Sequence, residues 1–385
     1  MKIGVIGIGI TRFGEIWDRG LRELLLDSQL RALNDAKIVP QQIDAMFTGN
    51  MLGDSLSGQV HIGAMATENL NLDKPSIRVE GACASGALAL RQGIKAIESG
   101  DAEIVMVNGV EKMTDVDTGQ VTTALMGAGD EELEGFHGLT FPGLYSLLAN
   151  AYMHKYPSLT RDILAEVAVK NHFHGARNSY CQFKNEITKE TVINSTMVAD
   201  PLTLFDCSPI TDGSATIIIA KEEIAKKMNS EVFITGSGLA TDTLSLARRN
   251  TLTAIPAGQK AANQAYAQSN ITSKDISFAE VHDCFTIAEI MAVEALGFAK
   301  EGEAFNLYKN KETYFDSKHP INTSGGLKAC GHPVGATGIK QAIEATMQLR
   351  GEAKNRQVLN ATVGVTHNVG GSGATACVHV FKRLR

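Results

Sequence analysis

Excess positive charge, disulfide spacing, long apolar runs and nucleotide-binding loops are all missing from this sequence, and each absence removes a class of function. Lys and Arg number 36 against 42 Asp and Glu, a formal net charge of −6. No basic field therefore exists to draw a nucleic acid or an anionic membrane. Apolar runs such as Ile104–Val107 and Ile217–Ala220 are far too short to span a bilayer. The opening MKIGVIGIG has neither the basic n-region nor the long h-region of a secretory signal. The closing KRLR is not an SKL-type address, and a cytoplasmic location is the resulting expectation. Six cysteines lie without regular spacing and none makes a CxxC pair, which predicts free thiols in a reducing compartment. Gly7 and Gly9 open like a dinucleotide loop, but Arg12 stands where the third glycine is needed. Neither GxxxxGK(S/T) nor GxSxG occurs.

What is present suits a soluble globular α/β chain. Of 385 residues, 44% are hydrophobic, 20% charged and only nine are proline, a length that predicts two or three compact units. The 37 glycines point to tight turns and close backbone approaches. Several segments also recur in order. Asn34–Asn50 matches Ala267–Asp283, with Ile38 against Ile271 and Ile43 against Ile276 at the same offset of 233. Lys2–Thr11 has a counterpart in Val232–Thr241, Gly81–Gly100 in Cys330–Gly351, and Gly213–Ala220 in Ser372–Val380. The offset is about 250 between Cys83 and His332 but 159 between Ala215 and Ala374. Roughly 90 extra residues therefore interrupt the first half between about 115 and 207. Alternating strands and helices in each half predict a layered α/β fold, with the halves packed as a pseudo-dimer.

Three reactive side chains stand where helices begin. Cys83 precedes the helical pattern from about Gly86, and His332 precedes Pro333, a residue suited to the first helical position. Cys284 precedes a T-x-x-E capping box at Thr286 and Glu289, with Gly297 closing that helix. Exposed N–H groups and the positive end of the dipole predict a thiolate at Cys83, below the usual cysteine value of about 8.5. The same field suits a developing oxyanion. Taken alone, Cys83 among Ala and Gly reads more readily as a small core residue, and His332 as a turn residue. Taken together, their matching places in the two halves predict helix starts that face each other as a nucleophile–base pair. Cys83, His282, Cys284 and His332 are zinc-ligand types, but ligands about 200 residues apart make poor zinc spacing, so no metal is expected. His172 and His174 do not share a helix face and are expected to be structural or surface residues.

On these motifs the chain resembles the thiolases, and within them the archaeal acetoacetyl-CoA thiolases and the sterol-carrier-protein-type thiolases. The resemblance runs the whole length through GACASGA (Gly81–Ala87), HDCF (His282–Phe285), GHPVGATG (Gly331–Gly338) and HNVGGSGA (His367–Ala374). KNHFHGARN (Lys170–Asn178) and DCSPITDGSA (Asp206–Ala215) support it. It implies the five-layered αβαβα thiolase fold, with residues 1–115 plus 207–228 as one half, 116–206 as an inserted loop domain and 229–385 as the other half.

The resemblance also implies roles. Cys83 accepts the acyl group and His332 activates it. Cys284 is the acid/base, replacing the second cysteine that better-known thiolases carry where this chain has HNVG. His282 stands in for an oxyanion-hole asparagine and works with His332. The other oxyanion hole falls to the N–H groups of Cys83 and of Val369 or Gly370. Gly135–Met153 is expected to line the acyl pocket, with Phe141 and Tyr145 as walls and His367 also beside the substrate.

The implied reaction joins two acetyl-CoA into acetoacetyl-CoA and CoA, with no metal or redox cofactor and CoA species as substrates only. A degradative 3-ketoacyl-CoA thiolase of broader chain length and a weakly active CoA-binding scaffold are the alternatives. A ketoacyl-synthase reading is disfavoured by the second cysteine. Implied partners are a second copy (homodimer or dimer of dimers), a hydroxymethylglutaryl-CoA synthase and a small OB-fold protein.

Overall fold

A computed structural model describes residues 2–384. Its strands are β1 (Ile3–Ile10), β2 (Ala45–Gly49), β3 (Ser76–Val79), β4 (Ile104–Glu111), β5 (Met197–Ala199) and β6 (Leu202–Thr203). They continue with β7 (Gly213–Lys221), β8 (Val232–Thr241), β9 (Phe278–Glu280), β10 (Val363–Gly370) and β11 (Thr375–Arg383). The sequence dictates the central ones through near-continuous apolar runs. GSATIIIAK in β7 is buried at every residue but the last, as a strand covered on both faces must be.

Nine strands form one mixed sheet in the order β3-β2-β4-β7-β1-β8-β11-β10-β9, and β5 and β6 make a separate ribbon. The order reads the same outward from its middle. In the first half β2 is parallel to β4, and β4, β7 and β1 are antiparallel neighbours. In the second half β9 is parallel to β10, and β10, β11 and β8 are antiparallel neighbours. The halves join through β1 and β8 at Ile3↔Ile234 and Gly4↔Phe233.

Helices complete the layers. Leu21–Ala36 covers the outer face of β1 and β7, and Pro256–Ser269 covers β8 and β11. Ser85–Ser99 and Val334–Arg350 pack on each other between the two halves and touch strands of both. The two halves of the one sheet thus flank the helix pair, giving helix, half-sheet, helix pair, half-sheet, helix: the five layers expected. Val334–Arg350 is buried nearly all round, as its middle position demands. At Gly86 a Cβ would lie 2.7 Å from the Gly335 carbonyl oxygen. Only the missing side chain lets the starts of these two helices touch.

Between β4 and β7 the chain leaves the sheet for helices Thr118–Met126, Phe141–Lys155, Arg161–Gly175 and Lys189–Ile193. Leu144, Leu148, Tyr152, Leu164 and Val167 from this excursion share one core with Val281, Ile287, Ile290 and Met291 of the second half. A buried Lys170–Glu289 ion pair of 2.5 Å fastens the contact. Glu289 is thereby occupied, and Thr286 donates to Asp206 at 2.7 Å. The expected Thr286–Glu289 capping box is therefore absent: helix Thr286–Ala295 starts with no side-chain cap, because both residues are drawn into tertiary bonds. His172 and His174 are buried, bonding the carbonyls of Asn185 and Asn322, and so are structural rather than surface residues. Among the described residues no helix is long and apolar enough to cross a membrane.

Candidate active site

The site lies where the two central helices begin. A turn at Ala82–Ala84 leads into Ser85–Ser99 and presents Cys83. Ala82 holds φ at +53°, a left-handed value uncommon for a residue with a Cβ. His332 precedes Pro333, which caps helix Val334–Arg350 from outside rather than occupying its first turn. His282 and Cys284 sit between β9 and helix Thr286–Ala295. Between them, Asp283 accepts from the Leu327 N–H at 2.7 Å and the Lys328 N–H at 3.1 Å. That ties the HDCF loop to helix Gly326–Cys330, which leads into His332.

The sulfur of Cys83 and one ring nitrogen each of His282 and His332 all lie within 4.8 Å of one another, and all three residues are buried. The two imidazoles are held in opposite tautomers. The Thr337 hydroxyl donates to the Pro333 carbonyl at 3.0 Å, so its oxygen accepts from His332 Nδ1–H at 2.7 Å. His332 Nε2 is left as a bare acceptor, buried and unpartnered. The Asn368 amide donates to His282 Nδ1 at 3.0 Å, which puts that ring's proton on Nε2, also buried and unpartnered. One ring can take a proton and the other can give a hydrogen bond. The rings meet edge to face, 5.1 Å apart at 83°.

The ionisation of the nucleophile differs from the expected thiolate. Burial pushes the Cys83 thiol up to about 12, outweighing the N–H groups of Gly371 and Cys83, and the Glu111 carboxylate adds to the rise. Helix-start N–H groups act over a short reach, whereas desolvation penalises the whole charge. Burial, with the Lys340 ammonium, pulls His332 down to about 3. His282 also falls well below its usual value through burial and then the neighbouring His332 and His367. At rest the pair is thiol and neutral imidazole. Burial, then Cys83, drives the Cys284 thiol well above its usual range, while the Tyr145 hydroxyl against it works the other way.

A cavity of about 260 Å³ opens on Cys83, Cys284 and His332, with Phe141 and Tyr145 among its walls. Tyr145 stacks on Phe285 at 4.5 Å and donates to the Gly371 carbonyl at 3.1 Å. Gly371, also in the lining, holds φ at +61°, and a Cβ there would meet the Ala128 oxygen at 2.7 Å. Its N–H favours the Cys83 thiolate, and it directly follows the expected donors Val369 and Gly370, the last residues of β10, which lie opposite Ala376 and Thr375 of β11.

His367 is displaced from its expected place. It does not line the cavity; its Nε2 faces Gly258, where a Cβ would come within 2.7 Å. Alternation along β10 sends Asn368 toward His282 and His367 to the opposite face. Sequence reasoning missed Thr337, Asn368, Gly371 and the buried Glu111, which accepts from Asn50, Leu52 and Gly335 at 2.8 Å each. Three of the four lie within or beside the recognised motifs, so the signal was there; their partners were not.

Comparison with known proteins agrees with this fold. The family model described as thiolase, N-terminal domain, matches residues 3–223, and that described as thiolase C-terminal domain-like matches 238–383. An acetyl-CoA acetyltransferase of Methanothermobacter thermautotrophicus is 46% identical over 383 residues, covering 99% of each chain. One from Methanocaldococcus jannaschii is 42% identical over 392 residues, covering 100% of this chain and 99% of its own. Among solved structures, the Ltp2–ChsH2(DUF35) aldolase superposes with a TM-score of 0.87 at 25% identity, over 100% of this chain and 98% of that one.

Proposed function

Because the chain belongs to the thiolase family, we propose that it condenses two acetyl-CoA into acetoacetyl-CoA and CoA, reversibly, through an acetyl group on Cys83. Its full-length likeness to acetyl-CoA acetyltransferases makes it an acyltransferase. The observation that carries the finer reading is the convergence of Cys83, His282 and His332 within 4.8 Å, beside a second thiol in one cavity.

The thiol–imidazole ground state dictates how the first step runs. His332 Nε2 takes the Cys83 proton as the sulfur attacks the acetyl carbonyl. The N–H groups of Cys83 and Gly371 hold the oxyanion, each worth about 3 kcal/mol. CoA leaves as thiolate and takes the proton of Cys284. That exchange leaves Cys284 as thiolate and His332 protonated at Nε2, the state the second step needs. Cys284 removes a proton from C2 of a second acetyl-CoA. The enolate oxygen is held by the Nε2–H groups of His282 and His332, and its carbon attacks the acetyl on Cys83. Collapse expels the Cys83 thiolate, which recovers its proton from His332. The CoA moiety is substrate throughout, and no metal or redox group takes part.

Apolar walls such as Leu125, Phe141 and Phe285 favour, as a second reading, longer 3-ketoacyl chains in the cleavage direction. Residues 116–206 act as the inserted unit that completes the pocket. A cytoplasmic homodimer or dimer of dimers belongs to this reading, as does assembly with a small partner protein. The likeness to an Ltp2–ChsH2(DUF35) complex supports that assembly.

The test is to incubate the protein with acetyl-CoA, digest it and locate the label by mass spectrometry. One acetyl group on Cys83 with release of CoA is expected. A label on another cysteine sinks the mechanism, and CoA bound without transfer makes the chain a scaffold.

A further inference from the structure

We propose that Cys83, His282 and His332 also form a capture site for a thiophilic divalent cation, Zn²⁺, whose binding reversibly switches the nucleophile off. The inference uses the same side chains as the acetyl transfer but does not rest on it.

One thiol and two imidazoles are a donor set that zinc favours. Their ligand atoms already lie within 4.8 Å of one another. Zinc–sulfur and zinc–nitrogen bonds of about 2.3 and 2.0–2.1 Å set tetrahedral edges of about 3.5 Å. The widest gap therefore has to close by roughly 1 Å, which side-chain rotation supplies. Two independent features point at a ligand in the same space: the Nε2 atoms of His282 and His332 are each buried without any partner. His332 is ready, since Thr337 fixes its Nδ1–H and leaves Nε2 with a free lone pair. His282 has to move its proton to Nδ1, and a neighbour stands by to receive it. Asn368 Oδ1 is itself buried and unpartnered, so a flip of that amide turns a donor into an acceptor for Nδ1–H. Such an outer partner fixing the ring is how ligating histidines are held.

The cavity beside Cys83 and His332 supplies the route in and the fourth position, filled by water or the Cys284 thiol. The step balances without redox chemistry. A Zn–S bond forms, the Cys83 S–H bond breaks, and its proton passes to buffer; the His282 proton changes nitrogen but is not lost. A sulfur held by zinc and occupying a shared centre with His332 cannot attack a thioester.

Cobalt(II), a spectroscopic stand-in for zinc, is added to protein freed of metal with EDTA, in the absence of any CoA compound. A thiolate-to-cobalt charge-transfer band saturating at one equivalent is expected, bleached by Zn²⁺. It should vanish in Cys83→Ala and weaken in His282→Ala, with folding of each variant checked by its melting curve, and persist in Cys207→Ala. With Zn²⁺, alkylation of Cys83 by iodoacetamide should stop at one equivalent and resume after EDTA. A band that survives Cys83→Ala, or alkylation that ignores several equivalents of Zn²⁺, overturns the proposal. A band without acetyl labelling would instead sink the proposed reaction and leave the metal site standing.

Discussion

Cys83 and His332 occupy equivalent places in the two halves, at the starts of paired central helices, and the same burial drives them in opposite directions. The acid rises to about 12 and the base falls to about 3. The thiol and the imidazole are therefore both neutral at rest. In the proposed reaction, proton transfer waits for a substrate whose carbonyl oxygen turns the N–H groups to account, with the bond-forming atom in the first half and the proton acceptor in the second.

The comparison breaks most severely if His332 is removed. His332→Ala is expected to slow acetylation of Cys83 about 10⁴-fold, measured by single-turnover labelling, since the other imidazole beside the thiol, His282, carries its proton on Nε2 and offers no lone pair there. Cys284→Ala should still allow that labelling, slowed only by loss of the proton it gives the departing CoA, and lower condensation about 10³-fold; equal losses in both would merge the two steps that the geometry separates. Asn368→Ala frees the tautomer of His282, and a fall of about 10- to 100-fold in condensation alone is expected. Equal losses in both half-reactions would reduce Asn368 to a packing residue. The mildest test sharpens the charge argument. Because the thiol is raised, alkylation of Cys83 by iodoacetamide should climb about tenfold per pH unit from pH 7 to 10. Levelling near pH 8.5 would show an ordinary cysteine.

Much of this site was legible because reactive residues stood at places of known geometry. The repeat put Cys83 and His332 at matching helix starts, and the touching helices bring them together through Gly86 and Gly335. Phe141 and Tyr145 were legible as pocket walls because the inserted segment is apolar just there. His367 lies outside the cavity for a short-range cause. Strand alternation turns His367 away from the cavity, and Gly371, one residue past the expected Val369 and Gly370, adds an N–H that favours the Cys83 thiolate. The capping box at Thr286 and Glu289 failed because Asp206 and Lys170, 80 and 119 residues distant, bind those side chains more usefully.

From the sequence alone came the duplicated order of strands and helices, the interruption of the first half, and the family, written in four motifs that also single out Cys83 as the proposed nucleophile. Hydrophobic period and small residues are local properties, and a chain displays them without folding. Ionisation, tautomer and the choice of hydrogen-bond donor are not local. Cys83 is a thiol because surrounding layers remove its water. His282 is a donor because Asn368, 86 residues away, reaches its Nδ1. Desolvation and orientation belong to the packed whole, and only the tertiary structure could decide them.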